Sequence, residues 1–391
     1  MHLPERLALA RRPGGGPPQP LGRGRLAVAA VLPLGYLRLL CPAYTEVGRP
    51  SPLPLYGYAA VAEQGGEVVV AARRSDDFSP WTGRRPARPV LQRQVVRAQR
   101  LMPRSRVVAQ LSTCALIHNC LTAQNTFLRR HEGALPTSAA CNADCLGCIS
   151  LQTDSGAPTP QPRISRAPTS GDLIEVGVYH LEGARASGQV GMVSFGQGCE
   201  GEPLLRERAL LPVVRELRSR FPHSTIHVNT NGSRPNALRR LLLAGLNSCR
   251  ISVFSFDQAL FSAYYRPRGY SIREVLECAR VASELGAQLT VNLLTFPGVS
   301  DAPQEIERTI SALSSLQVQQ LQLRSLNCDP QWLLRRLPPL ASAVGLEQLL
   351  ARLGQDLPQL RLGNFTRPLP AAVPPAAMEE PVGLPGTSPS R

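Results

Sequence analysis

From residue 135 onward the sequence alternates short β-branched runs with amphipathic helical stretches, and this alternation constrains the fold more than any other feature. Such repetition builds parallel strands joined by helical crossovers. Residues 189–195 read as a buried strand, 204–221 as a helix bent at Pro212, and 224–229 as a strand rich in β-branched residues. Residues 236–246 follow as a helix with Leu238, Leu241 and Leu242 on one face, then 250–254 as a strand. Ser271 and Glu274 form a capping box, each side chain satisfying an orphan amide, and that helix runs to Gly286. Strand 288–296, helix 301–316 and strand 318–326 complete the series. With one more strand just before Cys141 there are about six β/α units, short of the eight that close a full barrel. The expected fold class is α/β, a partial (β/α)6 TIM-like barrel with an N-terminal accessory lobe.

Cys141, Cys145 and Cys148 place three thiols in eight residues, spaced CxxxCxxC. Thiolates hold iron–sulfur clusters, and a complete four-iron cluster ordinarily uses four of them. Three ligands on one loop leave the fourth iron open to an exogenous ligand, which suits chemistry better than electron storage. A structural zinc site asks for four protein ligands, and the chain offers one CxxC with no second pair and no nearby downstream His pair. Chance grouping is the remaining reading, because the chain holds ten cysteines. Cys41, Cys114, Cys120, Cys199, Cys249, Cys278 and Cys328 lack the regular spacing of a disulfide scaffold. Cys114 and Cys120 read as small buried side chains rather than metal ligands.

The 391 residues suffice for one large domain with additions. A net charge of +15 draws attention to nucleic acid or acidic peptides as partners. The chain has no lysine, however, and its arginines are scattered or paired without interleaved aromatics, so a solvated basic surface is the plainer reading. Residues 26–40 are apolar, but Pro33 and Arg38 interrupt them and they are too short to span a bilayer. Residues 1–25 read as a disordered tail rather than a signal peptide. Residues 26–130 form the accessory lobe, with a strand at 67–72, a helix at 92–102 and a strand at 105–114. The barrel covers 131–330, with a proline-rich loop at 156–170. Packing helices occupy 331–367, and a Pro-rich tail 368–391. Reduced thiols and an oxygen-sensitive cluster point to the cytoplasm.

In parallel β/α folds the working residues gather at the carboxyl ends of the strands. There the sequence places Gly196 to Pro203 (GQGCEGEP), Thr230-Asn231-Gly232, Ser255 and Asn292. Singly these read as turn and strand-end residues. In this order after CxxxCxxC they resemble the radical SAM superfamily, over about 135–330. The resemblance implies that Cys141, Cys145 and Cys148 hold a [4Fe–4S] cluster. It further implies that Gly201, Glu202 and Pro203 form the element that binds the SAM amino group, with Asn231, Ser255 and Asn292 also approaching SAM.

Two residues depart from the family pattern. Glu200 replaces the first glycine of the Gly-Gly-Glu-Pro element. Gly147 stands where many members carry an aromatic residue near adenine, which leaves the adenine subsite unassigned. The implied activity is reductive cleavage of SAM and hydrogen abstraction from substrate, with electrons from a reductant protein such as a flavodoxin or ferredoxin and with no membrane involved. The substrate, whether small molecule, peptide or RNA, is not legible. The alternative is a non-catalytic iron–sulfur or zinc-binding module that keeps the barrel. Arg324, Asn327 and Asp329 read either as facing the substrate opening or as a structural ion pair, and Tyr264 to Tyr270 as packing or as lining its mouth.

Overall fold

The computed structural model describes residues 1–10, 16–22, 24–76 and 86–370. Its centre is a seven-stranded sheet in which all neighbouring strands are parallel. The strands are β1 (Glu132–Ala134), β2 (Met192–Phe195), β3 (Thr225–Thr230), β4 (Ser248–Val253), β5 (Gln288–Thr295), β6 (Gln320–Ser325) and β7 (Arg361–Gly363). They follow one another in sequence order across the sheet. The expected partial barrel is therefore present. The seventh strand, β7, comes from the segment expected to supply only packing helices.

Side chains alternate between the two faces of each strand, and here the alternation separates oil from polar groups. One face carries Val193, Phe195, Ile226, Val228, Cys249, Ile251, Leu289, Val291, Leu321 and Leu323, all buried. Helices cover it, each burying one stripe: Val213, Val214 and Leu217 from α5 (Glu207–Arg220), and Val275, Cys278, Ala279 and Ala282 from α8 (Ile272–Glu284). The capping box at Ser271 and Glu274 is formed as expected. Pro212 lies within α5 without ending it. The opposite face carries Glu132, Ser194, His227, Asn229, Arg250, Ser252, Thr290, Asn292, Gln322 and Arg324, in the register that puts them on the inner side of the barrel.

The remaining helices are α1 (Arg88–Leu101), α2 (Arg106–Leu116), α3 (Leu121–Leu128), α4 (Ser170–Ala186), α6 (Pro235–Leu243), α7 (Gln258–Tyr265), α9 (Pro303–Ser315), α10 (Pro330–Leu334) and α11 (Leu346–Asp356). Residues 105–114, expected as a strand, form α2 instead. Val107, Val108, Leu111, Cys114 and Ala115 recur at helical spacing and form its buried face, and the Ser105 hydroxyl accepts the Val108 N–H at 3.4 Å as an N-cap. The expected accessory lobe is divided in its packing. Helices α1 to α3 belong to the same hydrophobic cluster as the barrel, whereas Leu3, Ala27, Ala29, Tyr44, Leu53 and Tyr58 form a separate small core.

The N-terminal segment corrects a second expectation. Residues His2–Ala10 form a strand that pairs antiparallel with Leu26–Val28 and Tyr44–Glu46. Its anchor is Arg6, whose guanidinium donates to Asp329 at 2.7 Å in a fully buried ion pair. Low hydrophobicity hid this strand from a reading of local pattern, because a residue 323 positions away holds it. Of the expected Pro-rich tail, residues 371–391 lie outside those described. Among the described residues no helix is long and apolar enough to cross a membrane.

Candidate functional site

The cysteine loop leaves the carboxyl end of β1 and is fastened by its backbone. Asp144 and Leu146 N–H groups each donate at 3.0 Å, to the Tyr265 and Tyr264 carbonyls respectively, at the end of α7. The Arg268 N–H donates to the Asn142 carbonyl and its guanidinium to the Cys141 carbonyl, both at 2.8 Å. Tyr264 and Tyr265 are therefore packing residues, with Tyr264 stacked on Phe254 at 4.4 Å between ring centroids. All three cysteines are partly exposed and unpaired. The Cys148 sulfur lies 3.4 Å from the Ser150 hydroxyl and 3.5 Å from the Arg163 guanidinium. Among the described residues no three His, Cys, Asp or Glu side chains converge on a single ion position. A [4Fe–4S] cluster makes no such demand, since each thiolate binds a different iron.

Gly147 lies close under neighbouring side chains. A methyl group there would meet the Tyr264 hydroxyl at 2.8 Å and a Leu326 methyl at 2.9 Å. A larger side chain there would require the Tyr264 and Leu326 side chains to shift.

The second element follows β2. Glu200 accepts the N–H groups of Thr137 at 2.6 Å, Ser138 at 2.8 Å and Gln197 at 2.6 Å. Its carboxylate thus ties the chain just ahead of the cysteines to the loop after β2, although burial still pushes its pKa up to about 8. Gly201 N–H donates to the Ser138 carbonyl at 2.7 Å and Glu202 N–H to the Ala140 carbonyl at 2.8 Å. Glu202 itself accepts from Leu204 N–H at 2.9 Å, Thr230 hydroxyl at 2.6 Å and Asn231 N–H at 2.7 Å. Pro203 begins the 3-10 turn that leads into α5. Burial pushes the Glu202 carboxyl up to about 7 despite these donors. Among the described residues it has no ion-pair partner.

Asn231 joins the group by donating from its side-chain amide to Asn142 of the cysteine loop at 2.9 Å. Ser255 does not. It is wholly buried, and its hydroxyl accepts the Asp257 N–H at 3.0 Å. Asn292 sits deeper, on the inner face of β5, where its amide donates to Ser252 at 3.2 Å and its carbonyl oxygen has no partner among the described residues. Asp329 holds Arg6 and Tyr44 rather than facing an opening. The inner-face residues Glu132, His227, Arg250 and Gln322 were not singled out from the sequence. The signal was present as polar residues at every second position, in strands that otherwise read as buried apolar runs.

Residues 135–313 match the Radical SAM superfamily model. Its members work with a [4Fe–4S] cluster and S-adenosylmethionine and need an external reductant and a substrate. No curated protein matches the chain significantly. Among solved structures, a radical SAM methyltransferase from Sphaerobacter thermophilus is similar at 21% identity and TM-score 0.42, over 58% of this chain and 63% of that one. SuiB of Streptococcus suis bound to S-adenosylmethionine is similar at 15% identity and TM-score 0.42, over 69% of this chain and 56% of that one. Methylornithine synthase is similar at 14% identity and TM-score 0.40, over 71% of this chain and 76% of that one. The chain spans less than two thirds of the first two of these structures.

Proposed function

We propose that this chain is a radical SAM enzyme in which Cys141, Cys145 and Cys148 bind three irons of a [4Fe–4S] cluster and Glu202 receives the ammonium group of SAM. The observation that carries the reading is the convergence on Glu202. Its carboxylate takes N–H and hydroxyl groups from the end of β3, and its own backbone is bonded to Ala140, the residue before the first cysteine. A buried carboxylate that lacks a cationic partner fits an ammonium ligand, which would restore by charge what desolvation costs.

When bound, the cluster and SAM would supply an electron and a sulfonium C–S bond, whose cleavage gives a carbon radical able to take hydrogen from a substrate. The chain's own task is to position and enclose. Glu200 fixes the approach of the β1 and β2 loops, Asn231 steadies the cysteine loop through Asn142, and Arg163 offers a hydrogen-bond donor to the Cys148 sulfur. Asn292 presents an unpartnered carbonyl oxygen from within the barrel. The reductant would be a small electron carrier such as a flavodoxin or ferredoxin. The test is anaerobic reconstitution followed by EPR of the reduced protein with and without SAM. A [4Fe–4S] signal that shifts on adding SAM supports the reading, and a cluster indifferent to SAM overturns it.

A further inference from the structure

We propose that the inner face of the barrel holds a subsite for an anionic group of the substrate, a carboxylate or a phosphate, built by Arg250 on β4 and Arg324 on β6. This deepens the proposed function and rests on it for the word substrate, although the anion site itself can be measured without the cluster.

The two arginines reach the same space. Arg250 lies on the inner face of β4 and donates from Nη1 to the Gln322 side-chain oxygen at 2.9 Å. Arg324 is two residues beyond Gln322 and therefore shares its face, one step closer to the carboxyl ends of the strands. Each guanidinium acts electrostatically on the other and on Glu132 of β1. Within β4, β5 and β6 most side chains are buried, and Arg250, Ser252, Gln288, Leu294, Arg324 and Ser325 keep partial exposure. Leu294 is the register partner of Arg324, and Ser252 lies one inward-facing step from Arg250. Four of them, Arg250, Ser252, Leu294 and Arg324, thus lie close together on the inner face.

The polar inventory of this patch is unfinished. The Arg324 guanidinium makes no hydrogen bond or ion pair among the described residues. Arg250 Nε, the Thr290 hydroxyl and the Asn292 carbonyl oxygen are buried without partners among the described residues. The other charges nearby do not complete it. Glu132 is bonded to the Ser194 hydroxyl, and burial pushes its carboxyl up, which weakens it as a counter-ion. Asp76 is engaged by the Asn364 and Phe365 N–H groups and by Arg367. Among the described residues, the guanidiniums of Arg250 and Arg324 share this space with the Glu132 carboxyl, while Asp76 and Arg367 are paired with each other. Burial and the neighbouring Arg250 lower the Arg324 pKa to about 9. A planar or tetrahedral anion would give both guanidiniums charge-assisted partners. The far end is closed by the segment after β7, where Thr366 accepts from Gln322 at 3.0 Å and Leu369 N–H donates to Thr225 on β3 at 2.8 Å. An anion entering from the carboxyl ends of the strands would stop at this floor.

The experiment is calorimetric titration of the reconstituted, SAM-loaded protein with succinate and, separately, with inorganic phosphate at low ionic strength. The same titrations are run before reconstitution. The wild-type protein is expected to bind one of these anions saturably at one site per chain. Arg324→Gln and Arg250→Gln should each weaken binding by about tenfold or more. Arg324→Lys should retain part of it, and the exposed Arg239→Gln should bind like wild type. Which of succinate and phosphate binds more tightly identifies the chemistry. No saturable binding by wild type, or binding equal in all variants, would overturn the subsite. Anion binding that persists in protein unable to bind a cluster or SAM would leave the subsite standing and remove the proposed activity; the reverse pattern would remove only the subsite.

Discussion

A methyl group added to Gly201 would lie 2.0 Å from the carbonyl oxygen of Ala140, because the loop after β2 is pressed directly against the residue preceding the first cysteine. Backbone hydrogen bonds on both sides of this contact hold it closed, from Gly201 N–H to Ser138 and from Glu202 N–H to Ala140. Two parts of the site that are 60 residues apart in the sequence (201 against 141) are thereby made one rigid object. Gly201→Ala is expected to cost about 3 kcal/mol or more of stability and to lower cluster incorporation. Thermal melts and the iron content after reconstitution test it, and a variant that keeps both at wild-type levels would show that the loops do not need this contact.

Replacing Cys141, Cys145 or Cys148 singly with Ala should abolish cluster-dependent cleavage of SAM while leaving the fold intact, since all three side chains are partly exposed. Circular dichroism and 5′-deoxyadenosine production separate the two effects. Wild-type product formation by any of the three would exclude that residue from the ligand set.

Glu202 predicts a pH dependence with a definite sign. Its carboxyl is held up to about 7 by burial, so below that pH the group carries a proton and offers no charge to an ammonium ligand. SAM affinity should rise with pH through about 7 and then level off, and Glu202→Gln should bind more weakly with no such rise. Calorimetry one unit below and one unit above this value decides it. The same shift acts oppositely on the stability of the SAM-free protein. A raised carboxyl favours the protonated fold, so stability present below the unfolded carboxylate pKa declines as pH rises through about 7 for Glu202 and about 8 for Glu200.

Arg163 should tune the cluster electronically. Its guanidinium lies 3.5 Å from the Cys148 sulfur, and a donor to a ligand sulfur stabilises the reduced cluster. Arg163→Gln is expected to shift the reduction potential to a more negative value with little change in iron content. A potentiometric titration that returns the wild-type value would assign Arg163 to loop packing alone.

The buried pair of Arg6 and Asp329 should behave as a clamp between the N-terminal strand and the end of β6. Removing one partner strands a charge in the interior, so Asp329→Ala is expected to cost about 3–5 kcal/mol. Denaturant unfolding reads the loss. If the variant unfolds like wild type, the N-terminal strand is not held by this contact.

The β/α series, the cysteine loop and the order of the strand-end motifs are legible in the amino-acid sequence alone. These depend on local features: helical and strand periodicity, the Ser271 capping box, and residue types at short spacings. It did not reveal that residues 2–10 form a strand, because their partners are Thr45 and Asp329, or that 361–363 adds a seventh parallel strand. It also misread 105–114, where Val107 and Val108 suggest a strand until the buried face at helical spacing is seen. Within the site, Glu202 and Asn231 were legible because their motifs are short. Only the packing of distant segments buries Ser255, whose hydroxyl accepts the Asp257 N–H, and lets Glu200, an apparent departure from pattern, cap three amides. The inner-face pair of Arg250 and Arg324 also emerges only when strands distant in the chain are laid side by side. Periodicity fixes which face of a strand a side chain takes, whereas the charge it meets across the barrel depends on the whole sheet.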